Sequence, residues 1–316
     1  MRAVVTSAPP GEVGVEDRPD PAPGAGEVLV RVRAAGINNA DLIQAKGGYP
    51  APAGAPPDIL GMELAGEVAA LGPGASRFAV GDRVMAIVGG GAQAELAVVH
   101  ERAAMPVPEG LGWAEAGGFP EAFTTAHDAL FTQAGLGPGE RVCVHGAAGG
   151  VGVAGVQLAA AIGATVVATV RNPSLRAAVE ALADGVVAVA PEAFGRLGPF
   201  DVVLELIGGP NLPEDVAALA TGGRITVIGT GGGAEATLHL GALMGRRARI
   251  HGSTLRARPL EDKALAARAV ESHVLPLIAQ GRVSVPIAAT VPLEEAAAAY
   301  ARFAAGGKFG KIVLMP

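Results

Sequence analysis

Between Val142 and Val170 the chain carries no charged residue, and four glycines fall within seven positions, at Gly146, Gly149, Gly150 and Gly152. About 20 consecutive apolar residues would span a bilayer. Six glycines, His145 and Gln157 interrupt this stretch, however, and its pattern changes from a short strand to a helix to a second strand. The reading is a buried strand–turn–helix–strand unit, not a membrane span. Glycines at such a turn let the backbone bend sharply and let a diphosphate come close. The helix that follows presents free N–H groups and a partial positive charge to the anion.

The texture on either side extends this unit. Apolar runs at 141–145, 165–170, 185–190, 201–206, 223–229 and 248–253 alternate with Ala-rich, helix-compatible segments at about 151–163, 173–183, 211–220 and 238–246. Six such strands alternating with helices predict an α/β fold with a doubly wound parallel sheet of the Rossmann type. Before residue 118 the chain reads as short strands and turns. The run at 27–36 alternates at period two, and short helices are expected near 39–46 and 62–65. After residue 257 the pattern predicts a helix at 260–280, a strand at 283–289, a helix at 293–305 and a last strand at 310–316. Domain boundaries follow at 1–118, 119–256 and 257–316, with the tail expected to return to the first domain.

Composition narrows the function classes. Half of the 316 residues are hydrophobic and the net charge is −6, which argues against nucleic-acid binding. The lone cysteine, Cys143, excludes an intrachain disulfide and a multi-cysteine zinc lobe, and it reads as a small buried residue. The opening MRAVVTSAPPGE has no long apolar region, so no signal peptide is expected and a cytoplasmic location is the default.

The glycine turn defines the cofactor candidates Gly146, Ala147, Gly149, Gly150 and Val151. A carboxylate at the end of the second strand would hold a ribose 2′-hydroxyl. This chain instead runs Val170-Arg171-Asn172-Pro173-Ser174-Leu175-Arg176 there. Arg171, Asn172 and Arg176 are therefore candidates for a 2′-phosphate site, because guanidinium groups pair well with phosphate, and NADPH is the expected cofactor.

Gly139-Glu140, then Ala147-Ala148-Gly149-Gly150-Val151-Gly152, then Gln157 resemble the signature of the zeta-crystallin-like quinone oxidoreductases, within the medium-chain dehydrogenase/reductase superfamily. Cys143 and Ala160 depart from it. Segments 34–50, 59–72, 80–84 and 310–314 carry the resemblance across nearly the whole chain. STLRAR at 253–258 followed by 273–281 is similar to the p53-inducible quinone oxidoreductase-like subgroup. The resemblance implies a GroES-like, mostly-β catalytic domain beside the Rossmann domain. It places Thr125, Ile228, Gly229, Thr230 and Lys308 at further cofactor contacts. It also implies a homodimer through the edge strand at 248–253.

Zinc-dependent members carry Cys and His in segments that here hold Asn38 and Met62, so no metal is expected. Glu63, beside Met62, reads as a helix-start or packing residue. Hydride transfer to a quinone or enone builds negative charge on the substrate oxygen, which needs a donor. Tyr49, in the loop matching the family's substrate pocket, is the catalytic candidate. A second tyrosine found in some relatives is Ile43 here. Asn38 is a candidate for binding substrate or nicotinamide ribose, with capping of the helix near 39–46 as its alternative. Asp41 reads as structural, Arg256 and Arg258 as weaker candidates, and no catalytic histidine is assigned. The expected activity is zinc-independent, NADPH-dependent reduction of a small-molecule quinone. Reduction of an enone or enoyl thioester is the alternative, and a non-catalytic NADPH-binding protein is the alternative of another class.

Overall fold

The computed structural model describes residues 1–6 and 11–316; residues 7–10, part of the opening stretch read for a leader, lie outside the description. The chain forms two compact units, Met1–Thr124 with Leu255–Pro316, and Thr125–Thr254.

In the first unit the described residues build a mixed sheet in the order Ile287–Pro292, Lys311–Met315, Glu27–Gly36, Glu63–Leu71, Arg83–Ile87 and Ala104–Pro106. The strand Leu96–His100 pairs with Glu27–Gly36. Alternation along Glu27–Gly36 does what its sequence implies: Val28, Val30 and Val32 are buried, whereas Arg31 and Arg33 face water. Two segments of the tail, Ile287–Pro292 and Lys311–Met315, extend this sheet, the latter antiparallel to Glu27–Gly36.

Three expectations change in this unit. The short helix near 62–65 is instead the start of the strand Glu63–Leu71, which pairs on both sides. Gly66 suits that place because a Cβ there would lie 2.1 Å from the Arg31 carbonyl oxygen. The helix at 260–280 divides into Leu260–His273 and Leu275–Ala279, with Pro276 in the first turn of the second helix, where its missing N–H is harmless. The strand expected at 283–289 begins only at Ile287, after Pro286, which has no N–H to give to a ladder.

In the second unit all pairings are parallel, in the order Val187–Val189, Thr165–Thr169, Arg141–Val144, Phe200–Glu205, Leu219–Val227 and Arg249–Gly252. The order runs outward in both directions from Arg141–Val144. The two loops leaving the central strands, after Val144 and after Glu205, therefore flank the point where such sheets bind ligands. The helix expected at 173–183 is a 3₁₀ turn, Pro173–Leu175, followed by the short helix Arg176–Glu180. Among the described residues no helix is long and apolar enough to cross a membrane.

Candidate active site

In the first unit a buried polar cluster forms where three elements meet. Lys311 opens the last strand, and its Nζ donates to the Ile37 carbonyl (3.2 Å), Asn38 Oδ1 (2.6 Å) and Glu63 Oε1 (2.6 Å). Asn38 Nδ2 donates to the same Glu63 oxygen at 2.8 Å, and the Glu121 N–H donates to Glu63 Oε2 at 2.8 Å. Glu63 has no exposed surface, and a Cβ on Gly36 would sit 2.1 Å from its Oε1. Glu63 is thus the carboxylate of a buried ion pair, not a helix-start residue. The Asn38 amide is spent on Lys311 and Glu63, while its backbone N–H donates to Asp41 Oδ2 at 2.8 Å. The helix Asn39–Ala45 is therefore anchored through Asp41.

This donor set does not suit zinc. Where a ligand-bearing pair would be needed stand Asn38 and the buried thioether Met62, and the Lys311 ammonium already neutralises Glu63.

Tyr49 lies in the loop after that helix, half-buried. Arg256, 4% exposed, ties this loop down: its Nε donates to the Gly89 carbonyl (2.7 Å), its Nη1 to the Tyr49 carbonyl (2.9 Å) and its Nη2 to Gln44 Oε1. Its guanidinium carbon stands 4.9 Å from the Tyr49 ring centroid. Burial raises the phenol pKa above its usual value, with the Arg256 charge opposing, so Tyr49 is a neutral hydrogen-bond donor at pH 7. Lys308 packs its ammonium over the Phe303 ring at 4.2 Å and donates to the Gly310 carbonyl. Burial, then the Lys311 charge, push its pKa down to about 8.

In the second unit the glycine turn has the shape its sequence implies. Gly146 takes φ +63°, and Gly149 caps the helix Gly150–Ala161. A Cβ on Gly152 would lie 2.4 Å from the Gly146 carbonyl oxygen and 2.6 Å from Ala147 Cα, so only glycine lets the helix approach its own turn. The residues fit a dinucleotide diphosphate: a tight turn of glycine and alanine opening on a twelve-residue helix. Arg171 is exposed just past Thr165–Thr169, and Arg176 Nε donates to the Val170 carbonyl at 3.4 Å. Asn172 Oδ1 accepts from the Ser174 N–H and hydroxyl, which caps the 3₁₀ turn. The Ile228 and Gly229 N–H groups donate to the Glu205 carbonyl, and a Cβ on Gly229 would lie 2.3 Å from the Leu206 carbonyl oxygen. Ile228, Gly229 and Thr230 thus leave the sheet on the same edge as the glycine turn. Thr125 is buried at the end of the helix Pro120–His127.

Sequence reasoning missed two features. Lys311 reads in sequence as the polar start of an apolar strand, and nothing local signals its partners. His145, counted as one residue of the turn, is a fully buried anchor. Its Nδ1 lies 3.0 Å from Thr169 Oγ1 and its Nε2 lies 2.8 Å from Asp215 Oδ1, with the Phe194 ring packed edge-on. Burial raises Asp215 to about 7 and lowers His145. Glu205 lies nearby, with its carboxylate taken by the Ile207 and Gly208 N–H groups and Asn211 Nδ2. Cys143 is fully buried, and burial raises its thiol well above the usual range, as suits a packing residue.

Comparison with known proteins agrees with this architecture. Residues 24–131 match the alcohol dehydrogenase GroES-like domain and residues 181–314 match the zinc-binding dehydrogenase model. The chain is 32% identical over 313 residues to quinone oxidoreductase of Rattus norvegicus, covering 93% of this chain and 91% of that protein. It is 28% identical to acryloyl-coenzyme A reductase of Sulfurisphaera tokodaii across the whole of both. It is 40% identical over 208 residues to polyketide synthase GfsB of Streptomyces halstedii, but spans only 4% of that synthase. The solved quinone oxidoreductase of Thermus thermophilus, described also in complex with NADPH, superimposes with a TM-score of 0.86 at 34% identity over the full length of both chains. The chain belongs to the medium-chain dehydrogenase/reductase superfamily, with a GroES-like domain and a Rossmann-type parallel sheet.

Asp41 supplies a test of the first unit's electrostatics. It is fully buried, its Oδ1 has no hydrogen-bond partner among the described residues, and burial raises its pKa to about 7. A carboxyl whose folded pKa lies above its unfolded value near 4 adds most stability below pH 4. That contribution declines as pH rises towards 7 and is flat above it. Asp41→Asn should remove that decline. Denaturant unfolding between pH 4.5 and 8 should show the variant gaining on the parent by on the order of 1–3 kcal/mol.

Proposed function

We propose that this protein is a zinc-independent, NADPH-dependent reductase that transfers hydride to a carbonyl-conjugated acceptor, a quinone in the first instance. One observation carries the reading. A neutral, half-buried phenol is held by a buried guanidinium, in a unit where the Lys311 ammonium is paired with the buried Glu63. The similarity to quinone oxidoreductases of rat and Thermus supports the acceptor class. The similarity to acryloyl-coenzyme A reductase favours enoyl thioesters as the second reading.

The bound nicotinamide would supply the hydride. Gly146, Ala147, Gly149, Gly150 and Val151 would hold the diphosphate. Arg171 and Arg176 would hold the 2′-phosphate, Asn172 would shape their turn, and Thr125, Ile228, Gly229, Thr230 and Lys308 would line the rest. Tyr49 would donate to the acceptor oxygen as negative charge grows there. The Arg256 charge behind its ring strengthens that donation, since it stabilises negative density gathering on the phenol oxygen. Asn38 would act by positioning, through Lys311 and Glu63. A homodimer is proposed through Arg249–Gly252, which pairs only with Leu219–Val227 among the described residues and so leaves an open edge.

Three outcomes test this reading. Tyr49→Phe should lower kcat about tenfold for quinones and about a hundredfold for enones, which are weaker electrophiles, with NADPH affinity unmoved. Unchanged kcat for both would remove the catalytic role. In fluorescence titrations NADPH should bind more tightly than NADH. Replacing Arg171 and Arg176 together by Ala should erase that difference, a loss of about 1.5–3 kcal/mol. Native mass spectrometry of the active protein should give a dimer mass with no zinc increment; a monomer, or one zinc per chain, would correct the corresponding proposal.

A further inference from the structure

In the second unit a ring nitrogen of His145 and one carboxylate oxygen each of Glu205 and Asp215 lie within 4.8 Å of one another, and none of the three residues has exposed surface. No step of the proposed reaction uses this cluster. Among the described residues no lysine or arginine is paired with it. The neighbouring elements bring no cation either. The strand Arg141–Val144 contributes the Cys143 thiol, whose Sγ is 3.7 Å from His145 Nε2, and Thr165–Thr169 contributes the Thr169 hydroxyl. The segment Pro191–Leu197 contributes the Phe194 ring, and the helix Leu212–Ala218 brings one more carboxylate, the exposed Glu214.

Donors are fewer than acceptors here. Glu205 is served by the Ile207 and Gly208 N–H groups and by Asn211 Nδ2. Asp215 Oδ1 lies 2.8 Å from His145 Nε2, but its Oδ2 has no hydrogen-bond partner among the described residues, and the carboxylate beside it is that of Glu205, another acceptor. Two ionised carboxylates this close and out of water repel, so one of them holds a proton. Burial raises both carboxyls, Asp215 to about 7, and lowers His145, which stays neutral. The Glu205 charge is the one that N–H groups stabilise, so the proton resides on Asp215. A 2.8 Å contact suits a shared proton and is too short for two ligands of one tetrahedral zinc, which stand about 3.3 Å apart.

The cluster lies at the root of the loops assigned to the cofactor. His145 precedes Gly146 in the glycine turn. Glu205 holds Ile207 and Gly208 through its side chain, and Ile228 and Gly229 through its backbone carbonyl. Resting on the reading of the glycine turn as a nucleotide site, we propose that Asp215, with His145 and Glu205, is a proton site coupled to nucleotide binding, which takes up a proton from solvent when the diphosphate arrives. Protonation removes one buried negative charge behind a turn that must accept an anion. An anion at the turn raises the pKa of Asp215, so affinity is full below about pH 7, declines as pH rises above it, and is flat once the bound chain has also lost the proton.

Calorimetric titration of the full chain with NADH, which lacks the ionisable 2′-phosphate, tests this in buffers of differing ionisation enthalpy. At pH 7.5 the parent should take up about half a proton per chain, and its Kd should weaken about five- to tenfold between pH 6 and 8.5. Asp215→Asn keeps the shape of the protonated acid and cannot ionise. It should take up about half a proton less than the parent, match the parent's Kd at pH 6, and bind about five- to tenfold more tightly at pH 8.5. Lys308 also titrates in this range, but it is intact in both chains, so its share cancels in the comparison. A parent that takes up no proton at pH 7.5 overturns the coupling, a measurement that needs no variant to fold. So does an Asp215→Asn chain whose proton uptake and pH slope match the parent's, or one that binds more weakly at every pH. In each of these cases the nucleotide reading stands. Failure of both NADH and NADPH to bind at any pH overturns the nucleotide reading, and the coupling with it.

Discussion

The ion pair between Lys311 and Glu63 is the contact on which the first unit depends. It joins the last strand of the chain to a strand that begins 248 residues earlier, and it draws Asn38 in between. Both charges are out of water, so neither partner is tolerable without the other. The Lys311 ammonium, held by Asn38 Oδ1 and the Glu63 carboxylate, offsets the buried Glu63 charge. Placement of the helix Asn39–Ala45 follows from Asp41 capping the Asn38 N–H, and placement of Tyr49 follows from that helix and from Arg256.

The second unit rests on a different constraint, the close approach of the helix Gly150–Ala161 to its own turn. Gly152 makes that approach possible, and the Ala147 N–H bonded to the Thr169 carbonyl joins the turn to the next strand. His145 backs the turn from below, linked to Thr169 and to Asp215 on the helix Leu212–Ala218. Three elements distant in sequence therefore hold one loop still. For the proposed diphosphate contact such order matters, because the turn's glycines and alanines have no polar side chains with which to adjust.

Periodicity and glycine spacing made the second unit legible in the sequence. Parallel strands buried on both faces read as continuous apolar runs, and Gly152 of the turn sits where a Cβ would collide. The misreadings lie where local preference met pairing or proline: Glu63–Leu71 read as a short helix at its start, the split at Pro276, and the late start of Ile287–Pro292. Tyr49 and Asn38 could be named from their segments. The roles of Lys311, His145 and Arg256 could not, because each is defined by partners from 24 to 274 residues away.

By itself, then, the sequence determined the fold class, the glycine turn and the absence of a carboxylate after Thr165–Thr169, because these depend on residue type and spacing over fewer than about forty residues. Which charges are buried together emerges only on folding. Folding committed the Asn38 amide to Lys311, left Asp41 Oδ1 without a partner among the described residues, and set Arg256 against the Tyr49 ring. Burial and long-range proximity set the protonation of a group and the direction of a hydrogen bond, and neither is a property of the chain until it folds.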